Sequence, residues 1–293
     1  GNLLELGGFP LLKETAECCF ALAEISPSYA HRTLITSPDL SSSLIASYGL
    51  GTALNVFRIG TRMAQTDWHC ALDWLNRCSL LFRSYEERDR LDLLADLFRE
   101  VDTFPNFHPR FFLNFVEKTP EIANLFGKED GPGALKWLQT MAEEDPEQAV
   151  SLVQRFPEII RSLKRIYPPH QINEILSRGE SFSKLATNLV SPFFEALCQS
   201  KRQWETEEID ELQRTVEEAA SSSLHLAEAL LTTWPVLEKE TDCTLIRSKV
   251  SDLQSLARIS WETAVKVMHQ MPALLPRLPG EGCHCAGAVA HFQ

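Results

Sequence analysis

Apolar residues along this chain fall at helical spacing and return in a phrase that repeats. The phrase is plainest in ARISWETAVKVMHQMPALLPRL, residues 257 to 278, where Ala257, Ser260, Ala264, Met268, Pro272, Leu274 and Leu278 hold fixed places. Earlier copies carry Ala23, Ser26, Ala30, Leu34, Pro38, Leu40 and Leu44; Ala64, Asp67, Ala71, Leu75, Ser79, Leu81 and Tyr85; and Ala142, Asp145, Ala149, Val153, Pro157, Ile159 and Leu163. A third copy keeps Pro109, Val116, Pro120, Ile122 and Phe126 but has Phe112 where an alanine is expected. The fifth keeps Pro192, Phe194 and Cys198 with Lys184 and Asn188 at core places, and the sixth restores Ala220, Ser223, Ala227, Leu231, Pro235 and Leu237. The anchor residues Pro38, Ser79, Pro120, Pro157, Pro192, Pro235 and Pro272 lie 35 to 43 residues apart, with a mean of 39. That is the period of a two- or three-helix repeat.

The residue types explain the phrase. Ser26, Asp67, Asp145, Ser223 and Ser260 suit the N-cap position, and Pro27, Pro109 and Pro146 suit the first helical residue. A corner is expected at each, with the flanking alanines letting two helices approach closely. Beyond the corner, apolar steps of three and four make one stripe of an amphipathic helix. The anchor proline removes a helical hydrogen bond, so the second helix should kink or break. Ser37, Thr119 and Ser191 could cap a fresh helix there, whereas Phe156, Trp234 and Met271 could not, which favours a kink in those units.

First helices are read from 51–65 and 132–143, their starts marked by Gly49 to Gly51 and Gly127 to Gly133. Charged amphipathic helices are read over 86–100 and 205–220, with acidic faces in solvent. Strand alternation is missing from the sequence. The expected fold is therefore all-α: an α-α hairpin repeat solenoid, HEAT- or armadillo-like, of seven units over residues 1–280. Residues 281–293 read as an irregular tail or the start of another domain. A start at Gly1 rather than at methionine reads as a piece of a longer protein.

Composition narrows the role. Forty acidic against twenty-eight basic residues give a net charge of −12, which opposes nucleic acid and anionic membrane. No apolar run approaches the roughly 20 residues that cross a bilayer, and the first residues lack the pattern of a secretory leader. A cytoplasmic protein is expected. The eight cysteines lack the spacing of a disulfide framework, and Cys18, Cys19, Cys70 and Cys198 read as reduced core residues.

Candidate chemistry is sparse. Asp39, Ser41 and Ser43 match a D-x-S-x-S cation motif, but they lie inside the repeat phrase, with no strand before them. Cys283, His284, Cys285 and His291 offer zinc-type ligands without a second cysteine pair, and an exposed tail is the simpler reading. His31, His69, His108, His170, His225 and His269 are scattered over helix surfaces and corners, which gives no nucleophile a base. Asp92 and Asp96 share one helix face as solvated acids. Trp68 and Trp261 take the first place after the cap, where a staple-like packing role is expected. No phosphate loop, dinucleotide fingerprint or H-E-x-x-H occurs. The sequence therefore names no catalytic, cofactor or metal residue.

The cadence L-A-x-x-S/D-P-x-x-A-x-x-x-L, followed by P-x-L-L-x-x-L, resembles the helical-repeat region of NorD-type nitric-oxide-reductase activation proteins and of the related CbbO adaptor of Rubisco activase. The resemblance covers roughly residues 20 to 278. It implies a helical part that precedes a von Willebrand A domain and works beside a MoxR-type AAA+ ATPase on a client enzyme. The family's metal site finds no counterpart here. The expected function is a non-catalytic scaffold or adaptor for protein partners. The alternative is an all-α enzyme with a pocket in the concave face, which requires acidic or histidine side chains converging in one cleft.

Overall fold

The computed structural model describes residues 2–100, 107–200, 202–240 and 243–274. The described chain is all-α: thirteen α-helices and one 3-10 turn, with no strand among the described residues. Helices begin at the residue after the expected corner in six of the seven units: α2 (Pro27–Tyr48), α4 (Trp68–Glu86), α6 (Pro109–Glu144), α7 (Pro146–Ile166), α11 (Leu224–Glu240) and α13 (Trp261–Leu274). The caps act as their chemistry dictates. Asp67 accepts from the N–H groups of His69 and Cys70, Asp145 from Gln148, Ser223 from Leu226 and Ser260 from Thr263. The Ser26 side chain occupies the cap without accepting from a backbone N–H of the helix; its hydroxyl meets that of Ser28 at 2.8 Å.

First helices fill the intervals: α1 (Leu3–Ala23), α3 (Leu50–Thr66), α5 (Leu91–Glu100), α8 (Pro169–Leu185), α10 (Thr206–Ala220) and α12 (Cys243–Ala257). A single residue, Gly49 with φ 86°, separates α2 from α3, a conformation that glycine adopts without a Cβ penalty. The turn expected at Gly127 to Gly133 does not form, because α6 runs unbroken from Pro109 to Glu144. Glycine lowers helix propensity by about 1 kcal/mol but does not forbid helical geometry, so the three glycines of this stretch need not end the helix.

The second helices also pass through their prolines. Pro38, Pro157, Pro235 and Pro272 lie inside α2, α7, α11 and α13, and Pro120 lies inside α6. Ser37 and Thr119 do not cap new helices. Each turns its hydroxyl back on its own helix, Ser37 to the carbonyl of Leu34 at 2.9 Å and Thr119 to that of Phe115 at 2.8 Å. Leu34 is the residue whose carbonyl the missing N–H of Pro38 leaves without a donor. In α6 the corresponding orphan is Val116, and the buried hydroxyl of Tyr85 donates to it at 2.8 Å. Substitute donors thus fill these two vacancies. Among the described residues only the fifth unit forms a separate short helix, α9 (Val190–Ser200), preceded by the 3-10 turn Thr187–Leu189. It starts one residue before Ser191, and Pro192 sits in its first turn, where N–H groups have no helical partner anyway.

The chain divides into two compact units, Gly1–Gln154 and Arg155–Gln293. In the first, α1 packs on α2 and α3, α2 on α3 and α4, α3 on α4 and α6, and α4 on α5 and α6. In the second, α8 packs on α9 and α10, α9 on α11, α10 on α11 and α12, and α11 on α12 and α13. Stripe residues supply the core: Ala71, Tyr85, Val116, Ile122, Ala149, Val153, Leu163, Ala227, Leu231, Ala264 and Met268 are buried. At the ends of the described chain the stripe opens. Leu34 in α2 is 51% exposed and Leu274 in α13 is 41% exposed. Burial in α2 shifts to Thr33, Ser37, Ser41 and Leu44.

Candidate functional site

The motif residues do not assemble a reactive centre. Asp39, Ser41 and Ser43 stand mid-helix in α2, with Asp39 and Ser43 exposed and Ser41 buried, so a helical turn separates the oxygens that a cation would need together. His31, His69, His170, His225 and His269 are exposed, and His108 is half-buried at the cap of α6. No group of three or more His, Cys, Asp or Glu side chains among the described residues is arranged to hold a metal ion. Cys283, His284, Cys285 and His291 lie outside the described residues, as does the tail from 281 to 293. Asp92 and Asp96 are both exposed, and Asp96 pairs with Arg99.

Perturbed titrations have structural causes. Burial pushes the thiols of Cys18 and Cys70 up to about 12 and those of Cys78 and Cys198 up to about 11. Burial likewise raises Tyr85 and Tyr48, the latter also through its bond to Glu86. Partial burial raises Asp67, but the N–H and thiol of Cys70 and the N–H of His69 outweigh it and hold the carboxyl below its ordinary value. Glu208 is lowered by the Arg202 guanidinium, which grips it at 2.9 and 3.0 Å, against a smaller opposing effect of burial.

Trp68 stacks on Tyr29 at 4.8 Å and Trp261 on His225 at 4.3 Å, ring to ring with the preceding second helix. Polar side chains bridge over similar separations. In the first unit Tyr48 bonds Glu86, Arg77 bonds Glu117 and Gln154 bonds Asn114, partners 38, 40 and 40 residues apart. In the second, Arg178 bonds Asp210, Thr206 bonds Glu174 and Arg247 bonds Glu211, partners 32, 32 and 36 residues apart.

Two recesses in the first unit offer room for a ligand. A cleft of about 780 Å³ lies between α3 and α5, with Tyr48, Asn55, Arg58 and Arg99 around a floor of Leu94 and Phe98. Arg58 reaches Glu14 at 3.5 Å, so both arginines are engaged by acids. The floor is fixed by Phe98, whose ring meets Phe82 edge-on at 5.6 Å. On the second helices, a pocket of about 280 Å³ opens between α2 and α4. Arg32, Thr33 and Asn76 border it, and Phe57, Leu72 and Leu75 give it an apolar wall. The sequence signals neither recess, because each depends on which side chains of neighbouring helices fail to meet. No protein-family model, curated protein or solved structure matches the chain.

Proposed function

We propose that the chain is a non-catalytic helical-repeat scaffold, HEAT- or armadillo-like in plan, that offers protein partners the residues its repeat leaves free to vary. The observation that carries this reading is the separation of the bridging pairs. Ion pairs, hydrogen bonds and ring stacks in each compact unit join residues about one period of the sequence phrase apart. Repeat arrays stabilise each unit chiefly through contact with its neighbours, and such pairs are those contacts. The order of helix packing within each unit, α1 on α3 and α2 on α4, then α8 on α10 and α9 on α11, supports the same plan.

On this reading the resemblance to NorD and CbbO makes a MoxR-type AAA+ ATPase, or the client enzyme it remodels, the partner of choice. The test is affinity capture with the full-length protein as bait, with and without ATP, against a purified MoxR-type ATPase from the same cells and against the lysate. Nucleotide-dependent retention of the ATPase is the expected result. Capture of neither the ATPase nor a client in either condition overturns the partner assignment. An experimental structure in which successive helix pairs do not pack on one another overturns the repeat assignment itself.

A further inference from the structure

The first helix carries apolar residues on two opposite faces. Its inner face, with Leu11, Thr15, Cys18 and Leu22, is buried, and the helix packs on α2 and α3. Gly8, with φ 68°, interrupts helical geometry, and in the stretch of α1 that follows it the exposed residues are Phe9, Pro10, Lys13, Glu17 and Phe20. Phe9 and Phe20 are 70% and 72% exposed, and no other phenylalanine among the described residues is exposed. Eleven residues of α-helix turn about 20° more than three full turns, so both rings belong to one face, roughly 16 Å apart. A single exposed apolar side chain is ordinary. Two rings on one line of a helix whose opposite face is already buried mark a helix with neighbours on both sides.

The order of residues between the rings identifies the neighbour. Lys13 and Glu17 pair at 3.7 Å on the exposed face, with the half-buried Ala16 between them. The midpoint of the two rings falls between residues 14 and 15, and that of the two charges at residue 15. A two-fold axis through this point lays a second α1 antiparallel on the first, and such a contact sets residue i against j and j against i. Phe9 then meets Phe20 of the other copy at both ends, and Lys13 meets Glu17 of the other copy twice. Ala16, near the axis, lets the two backbones approach. A parallel pair would instead set like charge on like charge. The exposed parts of the four rings come to roughly 600 Å², over a third of the about 1,600 Å² that a stable interface buries. Leu34 and Ile35 of α2, 51% and 61% exposed, are further apolar surface on the same hairpin.

We infer that the exposed face of α1 is covered by a second copy of the chain, in a two-fold dimer that sets Phe9, Lys13, Ala16, Glu17 and Phe20 of each copy antiparallel against those of the other. The assignment goes beyond the scaffold reading and does not depend on it. Sedimentation equilibrium of the full-length protein, over concentrations up to its solubility limit, measures the association. A reversible monomer–dimer equilibrium is expected. Phe20→Ser should weaken it at least about tenfold, with unchanged circular dichroism because the ring is exposed.

Charge reversal tests the register. Lys13→Glu makes the face wholly acidic and Glu17→Lys makes it wholly basic, so each variant alone places two like-charge contacts in its own dimer and should associate about tenfold more weakly. An equimolar mixture of the two should form a heterodimer with the affinity of the native protein. Mixing does not repair the pair within either helix, so recovery reports the contact between copies. A monomer at every concentration, a dimer indifferent to Phe20→Ser, or no recovery on mixing overturns the assignment. A mixture that associates more tightly than the native protein overturns the antiparallel arrangement. Capture of protein partners is measured separately: if it persists while the protein sediments as a monomer, the dimer assignment fails and the scaffold reading stands.

Discussion

Removal of one hydroxyl in α4 should weaken α6, because Tyr85 completes a helix that Pro120 leaves short of a donor. Tyr85 and Val116 are both fully buried, and the hydroxyl reaches the Val116 carbonyl at 2.8 Å. Tyr85→Phe keeps the ring and its packing but leaves that carbonyl without a partner or water. The cost of such an orphan is about 1–3 kcal/mol. Pro120→Ala returns an N–H four residues after Val116 and so restores the donor from within the helix. In the Pro120→Ala background the Tyr85→Phe cost should fall below about 1 kcal/mol, which makes the coupling between the sites about 1–2 kcal/mol.

The four proteins are compared by urea unfolding followed by circular dichroism, with amide exchange in α4 and α6 as a local readout. An unchanged denaturant slope is required before the midpoints are converted to energies. Equal costs of Tyr85→Phe in the two backgrounds would refute the surrogate-donor argument. So would a cost below about 0.5 kcal/mol, the range of changes at sites without a special role.

Two further changes probe packing and charge. A Cβ at Gly179 would stand 2.5 Å from Cζ of the buried Phe194, so Gly179→Ala should destabilise the second unit. Overpacking of about 1–3 kcal/mol exceeds the gain of about 1 kcal/mol in helix propensity, and Phe194→Leu should relieve it in the double variant; unfolding midpoints decide. Glu208 closes the capping box of α10 and its carboxyl is lowered in the folded state. Its contribution is therefore complete above the unfolded-state value and disappears as pH falls through the lower folded value. Glu208→Gln should cost about 1 kcal/mol at neutral pH and nothing in strong acid; a difference that does not change with pH contradicts the charge argument.

Corners were legible because their chemistry is local. An acid or serine followed by a proline or tryptophan fixes the start of a helix within one turn, and α2, α4, α7 and α13 begin at the residue so indicated. The prolines misled because their consequence is not local. Whether α6 breaks at Pro120 depends on Tyr85, 31 residues before the carbonyl it serves. Likewise Leu34 reads as core from its spacing, yet burial depends on a neighbouring layer, and at that edge Thr33 and Ser37 turn inward instead. The α2–α4 pocket was invisible for the same reason. Arg32 and Thr33 look like any helix surface until Asn76 and Leu72 are brought opposite them by the fold.

The stacked tryptophans provide built-in optical reporters. Trp68 rests on Tyr29 and Trp261 on His225, one such couple in each compact unit and both partly open to solvent. Their indole emission is sensitive to whether one hairpin still touches the next, whereas that of buried Trp74 and Trp234 answers to the interior. A soluble quencher therefore distinguishes seams that open from a core that melts. Separation of neighbouring hairpins, the gentlest injury open to a repeat protein, becomes visible without any attached dye.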